Sequence, residues 1–196
     1  MLHHFVIPYP DEIWYSVLCR YHVRTGNATS KTTMRQLFGE KMDGQIGTFN
    51  PNNTIYQIIN QLPKGVLNIN DIVMNHTLFK YSFRFQSLDE KNRCIHDANR
   101  GCISFNPLQG INKNQPMLKW CPLCKEEDEE KYGEAYWHVS HQIPHVSICM
   151  KHKCNLIEIP FSHPNERNNN FIILNNDMKG DVVFNLDKKE MLFNET

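Results

Sequence analysis

Four residues of the 196-residue chain are spaced for one kind of chemistry. Cys121-Pro-Leu-Cys124 and Cys149-Met-Lys-His152 are two ligand pairs, each with two residues between its members, and 24 residues separate the pairs. At Cys-x2-Cys spacing one tight turn presents two thiolates to one ion. A second pair then completes a tetrahedron of three sulfurs and one imidazole nitrogen, a standard set for structural zinc. The interval is longer than the ~15–20 residues common between two cysteine pairs, and "YGEAYWHVSHQIPHVSI" suits a β-ribbon excursion across it. Cys154, His138, His141 and His145 compete as ligands. Cys154 follows closely on His152, whereas Pro144 argues against a helical ligand face through the histidines, so His138 and His141 read as polar or stacking residues on the ribbon.

Four good ligands make the ion scaffolding, because catalytic zinc keeps one position open for water. The His-x-Glu that precedes Pro-Cys-x-x-Cys in zinc deaminases is absent, as are His-Glu-x-x-His, a phosphate loop and Gly-x-Ser-x-Gly. A zinc hydrolase or deaminase is therefore a weak reading, and no catalytic residue is expected. A thioredoxin-like redox pair would need a strand before Cys-x-x-Cys and a helix after it within an α/β pattern, where this chain has an acidic run, "KEEDEEK", that reads as a solvated turn. A structural zinc supplies roughly 10–16 kcal/mol of apparent binding energy to local folding, so chelation should melt the module.

The elements that must position these ligands are mostly helical. "PYPDEIWYSVLCRYHVRTGN" reads as a helix with Pro10, Asp11 and Glu12 in its first turn and Gly26-Asn27 at its end. Ile13, Trp14, Val17, Leu18 and Tyr21 share one face and Arg20 and Arg24 flank it. "SKTTMRQLFGE" follows with Ser30 as cap and Gly39 as stop. Two helices joined by a short Gly-containing turn resemble a helix-turn-helix unit, with Arg20, Arg24, Lys31 and Arg35 as the candidate DNA contacts. Further helices are expected around Ile55–Leu62, from about Asn70, and from Ser87, whose Glu90 completes a capping box. His76 and His96 lie on these helices as ordinary histidines, and Cys19, Cys94 and Cys102 as buried small hydrophobes.

The expected architecture is mainly α with a small α+β zinc-binding module. It divides into a helical, helix-turn-helix-like domain over 1–105, a zinc-binding module over 106–160 that opens on a polar linker, and a tail over 161–196 whose "FIIL" and "DVVFNL" runs suit a hairpin. Apolar residues make up 40% of the chain and charged ones 21%, too apolar for a disordered chain. With seven cysteines and no signal segment or membrane span in view, it reads as intracellular with reduced thiols. Net charge is zero, yet residues 1–120 carry 13 Lys and Arg against 8 Asp and Glu. That modest surplus suits a weak or assisted DNA contact.

Between and around the ligands the chain resembles a known family. "WCPLC" and "YGEAYWHVSHQIPHVSICMKHKCNL" look like the zinc-binding signature of the TniQ/TnsD family, target-site selectors of certain bacterial transposons. The opening "PYPDEIWYSVLCRYHVRTGN" is similar to that family's start and "NHTLFKYSFRF" to a segment of its TnsD branch, so the likeness runs in order from residue 5 to residue 160. The resemblance implies one structural zinc on Cys121, Cys124, Cys149 and His152. It implies a role in marking target DNA and recruiting the transposon's AAA+ ATPase regulator among other transposition proteins, in the bacterial cytoplasm and on the nucleoid. A free-standing zinc-containing DNA-binding regulator is the alternative.

Overall fold

The computed structural model describes residues 2, 4–39, 49–103, 117–160 and 171–184; most of the expected linker lies outside them. Helix α1, Trp14–Thr25, buries all five residues of the face read from its spacing and ends at Gly26, whose φ of 65° is the left-handed conformation that glycine adopts at no steric cost. Its start differs from expectation: Pro10–Glu12 is not a first helical turn. The backbone there is used elsewhere. Ile13 N donates to Trp137 O (2.9 Å), Val139 N to Asp11 O (2.6 Å) and Trp14 N to His76 O (2.7 Å). His76 Nδ1 lies 2.6 Å from Glu12 O, which makes this histidine a satisfied buried one.

Helix α2, Ser30–Phe38, is capped by Thr29 rather than Ser30; the Thr29 hydroxyl accepts from Thr32 N, and Ser30 Oγ accepts from Phe171 N instead. Helices α3 (Asn53–Ile59), α4 (Ile69–Asn75), α5 (Phe79–Ser82) and α6 (Leu88–Ala98) follow. The Ser87–Glu90 capping box is present at the start of α6. The first part thus holds six helices among the described residues, one more than expected, because the aromatic run forms α5 by stacking Phe79 on Phe83 (centroids 4.6 Å). Of the three cysteines expected to be buried, Cys19 and Cys94 are, whereas Cys102 is exposed.

Strand β1, Met117–Trp120, leads into α7, Pro122–Tyr132; a 3-10 turn at Ser140–Gln142 and strand β2, Ile157–Pro160, complete the elements. β1 and β2 pair antiparallel with Trp120 opposite Ile157, so the chain entering the first ligand pair lies beside the chain leaving the second. The core draws on every part of the chain described. One cluster takes Val17, Leu18, Leu37, Ile55 and Ile72 from the helices, Leu118, Trp120 and Trp137 from the metal-bearing part, and Phe171 and Leu174 from the tail.

The tail runs "FIIL" and "DVVF" do not pair with each other among the described residues. Each has partners on other elements: Ile172 N donates to Tyr15 Oη (2.9 Å) and Trp137 Nε1 to Ile172 O (2.8 Å), while Asn155 N donates to Val183 O (2.7 Å) and Cys154 bridges Phe184. Segment 171–184 therefore straps α1 to the metal-bearing part.

Candidate metal centre

Cys121 is the N-cap of α7 and its sulfur accepts from Cys124 N (3.5 Å), with Pro122 in the first turn, where a missing N–H costs nothing. The acidic run after it is helix, not a solvated turn. Its residues are good helix formers, Lys125 pairs with Glu129 at i,i+4 (2.6 Å), and Gly133 at φ 77° stops the helix. The expected β-ribbon is likewise absent. Residues 133–148 form a loop with a single 3-10 turn and two isolated bridges, Glu12 to His138 and Ile148 to Asn155. Buried polar groups hold this loop in place of ladder bonds. Lys119 Nζ donates to Ile143 O (2.6 Å) and Val146 O (2.7 Å), and the Gln142 amide bonds both backbone groups of Lys119. Burial lowers the Lys119 pKa, and the two carbonyls keep its charge solvated inside the protein.

The loop and α7 converge four donors. Sγ of Cys121, Cys124 and Cys149 and a ring nitrogen of His152 lie within 4.8 Å of one another, three of the residues buried and the histidine half-buried. The Cys124 and Cys149 sulfurs are 3.7 Å apart, and His152 Nδ1 is 3.4, 3.3 and 3.8 Å from the sulfurs of Cys121, Cys124 and Cys149. Thiolate and imidazole donors on one tetrahedral ion of zinc size stand about 3.5–3.8 Å apart, so the four residues fit such a group. A second feature supports the fit. His152 Nε2 is 3.1 Å from Glu127 Oε1, and Glu127 also pairs with Lys151. A carboxylate that accepts a hydrogen bond from Nε2–H leaves Nδ1 as the lone-pair nitrogen facing the three sulfurs, the orientation that metal-bound histidine requires. The cluster can hold a metal ion and fits a zinc-binding module.

A family model described as TniQ matches residues 4–156, which include all four donors. The chain belongs to the TniQ family. It is 24% identical over 159 residues to the transposon Tn7 transposition protein TnsD of Escherichia coli, an alignment that takes in 77% of this chain and 30% of TnsD. The chain thus matches less than a third of the length of that relative.

The competing ligands of this TniQ-family chain occupy other places. His145 is exposed, at φ 66°. Cys154 is fully buried with its sulfur 3.3 Å from that of Cys121, outside the group of four. His138 stacks on Tyr136 (centroids 4.4 Å) and stands between Asp11 Oδ2 (3.3 Å) and Asp128 Oδ2 (2.8 Å). Burial opposes its charge, but hydrogen bonds to the two carboxylates outweigh burial and raise its pKa to about 9. His141 is also buried, 3.7 Å from the Cys124 sulfur through Nε2; burial and then the neighbouring His138 charge push it down to about 4. Asp11 has a positive φ (58°), and its carboxylate bonds His138 Nδ1, the Ser140 hydroxyl (2.5 Å) and Ser140 N, so strained backbone here is held by three hydrogen-bonding groups on two residues.

The four basic candidates divide. Arg20 is buried: it donates to Glu12 Oε2 (2.7 Å), Glu134 Oε1 (3.0 Å) and Ile7 O (3.2 Å), with its guanidinium 3.6 Å from the Tyr9 ring centroid. Its guanidinium is thus engaged within the protein. Arg24 is exposed yet pairs with Glu134 (2.7 Å), and Lys31 and Arg35 are exposed on α2. Glu12 is fully buried; burial raises its carboxyl pKa to about 7 against the opposing pull of Arg20. The roles of Glu12, Glu127, Asp128 and Glu134 are not visible in the sequence. Each acts on a partner too distant along the chain, or on the wrong helical phase, to leave a local signal.

Proposed function

We propose that this chain is a target-selection adaptor in DNA transposition. It joins target DNA, or a targeting complex already on DNA, to the transposon's AAA+ ATPase regulator, and it works in the cytoplasm without catalysing a reaction itself. The observation that carries the reading is membership of the TniQ family over residues 4–156; similarity to a transposition protein, TnsD, supports it. One zinc ion on Cys121, Cys124, Cys149 and His152 is structural in this reading. When bound it supplies folding energy and fixed geometry, and with four protein donors it needs no water.

The remaining residues do the positioning. Glu127 orients His152, Lys119 and Gln142 hold the loop between the ligand pairs, and Arg20 with Glu12 and Glu134 locks α1 to that loop. DNA contact falls to the exposed Arg24, Lys31 and Arg35, a surface too sparse in charge for tight autonomous binding. No helix among the described residues is long and apolar enough to cross a membrane.

Co-purification of the chain with the cognate AAA+ regulator in the presence of ATP and duplex DNA tests the proposal. A ternary complex that depends on the regulator is expected; absence of any complex under those conditions defeats it. If DNA alone binds tightly, with affinity falling steeply as salt rises, the free-standing DNA-binding regulator is the better account.

A further inference from the structure

The cluster contains one thiol more than a tetrahedral ion uses. Cys154 is 0% exposed, belongs to the same small core group as Cys121, Cys124, Cys149 and Leu156, and places its sulfur 3.3 Å from that of Cys121. It is held there by backbone bonds, Cys149 N to Cys154 O (2.8 Å) and the bridge to Phe184. Cys121 meanwhile is the donor whose contact outside the four is another thiol: His152 Nδ1 lies at 3.4 Å within the four and Cys154 outside them. A cleft of about 310 Å³ between Pro10–Asp11, α7 and the His138–His141 turn is lined by Cys124 and Cys149, whose sulfurs lie within 4.8 Å of the Cys121 sulfur, so a small solute entering it comes to the edge of the cluster.

We propose that Cys121 and Cys154 form an oxidation site: a peroxide converts the pair to a disulfide and so removes Cys121 from the metal. The Cys121 thiolate attacks one peroxide oxygen, the O–O bond breaks, and the products are a Cys121 sulfenic acid and hydroxide, which a proton from the buffer converts to water. The Cys154 sulfur then attacks the Cys121 sulfur. An S–S bond forms, the S–OH bond breaks, and hydroxyl leaves with the Cys154 proton as water. In sum the Cys121 thiolate and the Cys154 thiol lose two electrons, and one hydrogen peroxide with one proton from the buffer becomes two waters. Zinc takes no part in the electron count, since it has no redox chemistry. Cys154 is the resolving partner because it is the cluster thiol that is not among the four donors and it already touches one of them. With Cys121 in the disulfide, three donors remain and the metal is held less tightly. Reduction by a small thiol restores the set. The inference rests on the four-residue metal site, and not on the transposition role.

The test treats the metal-loaded full chain with hydrogen peroxide, follows metal release with a chromogenic chelator, and maps disulfides by tryptic mass spectrometry. Cleavage isolates Cys154 alone in peptide 154–167, Cys149 in 132–151, and Cys121 with Cys124 in 120–125, where fragmentation separates the two. The expected result is a Cys121–Cys154 link that appears in step with metal release, both reversed by dithiothreitol and added zinc, and release several-fold slower in Cys154→Ala. A Cys121–Cys124 or Cys124–Cys149 link in the wild-type protein, or equal release from Cys154→Ala, overturns the proposal. The wild-type map decides even if the variant does not fold. Lack of metal in the untreated protein is scored before peroxide is added, and it refutes the metal site itself.

Discussion

Raising the pH should loosen the protein through one residue. His138 is held between Asp11 and Asp128 with a pKa of about 9, above the ordinary value of 6.5. Between those two pH values the folded protein binds a proton at this ring that the unfolded chain does not, so stability falls as pH rises. The contribution is fully present below 6.5 and is lost on passing through 9. The shift converts to about 3 kcal/mol at 1.36 kcal/mol per unit, an order-of-magnitude figure for a side chain only 13% exposed. The assay is denaturant unfolding of zinc-loaded protein from pH 6 to pH 9.5, for wild type and for His138→Gln. Thiol ionisation and Glu12 titrate in both proteins, so the difference between the two curves isolates the ring. That difference should favour wild type by about 2–4 kcal/mol at pH 6 and shrink towards zero by pH 9.5. Parallel curves would mean that the ring carries no charge between the carboxylates, and would refute the reasoning.

Other perturbations test the positioning residues. Glu127→Ala should weaken zinc about 10–100-fold in chelator competition, because His152 loses the carboxylate that fixes its ring; an unchanged constant would show that Glu127 does not orient the ligand. Arg20→Ala should cost about 3–5 kcal/mol in urea unfolding, since Glu12 is left buried without its counter-charge. Arg24→Ala, which breaks a pair to the same Glu134 from an exposed position, should cost less than about 1 kcal/mol, and equal losses would contradict the burial argument. Gly101→Ala should destabilise by more than about 1 kcal/mol in the same assay, because the residue is at φ 66° and a Cβ there would meet the Tyr56 ring at 2.4 Å.

What the sequence disclosed follows a physical division. The donors were legible because ligand spacing is local: two residues between partners is a property of one turn, whatever surrounds it. So were the apolar face of α1 and the Ser87–Glu90 capping box, which depend on three- and four-residue repeats. Pro10-Asp11-Glu12 misled because its chemistry suits a helix start, and the competing use of that backbone came from Trp137 and His76, over 60 residues away. The α7 helix was hidden in the opposite sense. "KEEDEEK" favours helix by propensity, yet its lack of an apolar stripe concealed it, since this run buries Lys125 and Asp128 and no hydrophobe. The apolar runs in the tail carry no alternation to say which way they face, and two partners of the first, Tyr15 and Ser30, are about 140 residues or more upstream.

X-ray absorption at the metal edge of the purified full chain tests the central claim most directly. The account predicts one zinc per chain with three sulfurs at about 2.3 Å and one nitrogen at about 2.0–2.1 Å. Four sulfurs would put Cys154 in the place of His152. An oxygen in the shell, or no bound metal, would contradict a closed structural site on Cys121, Cys124, Cys149 and His152.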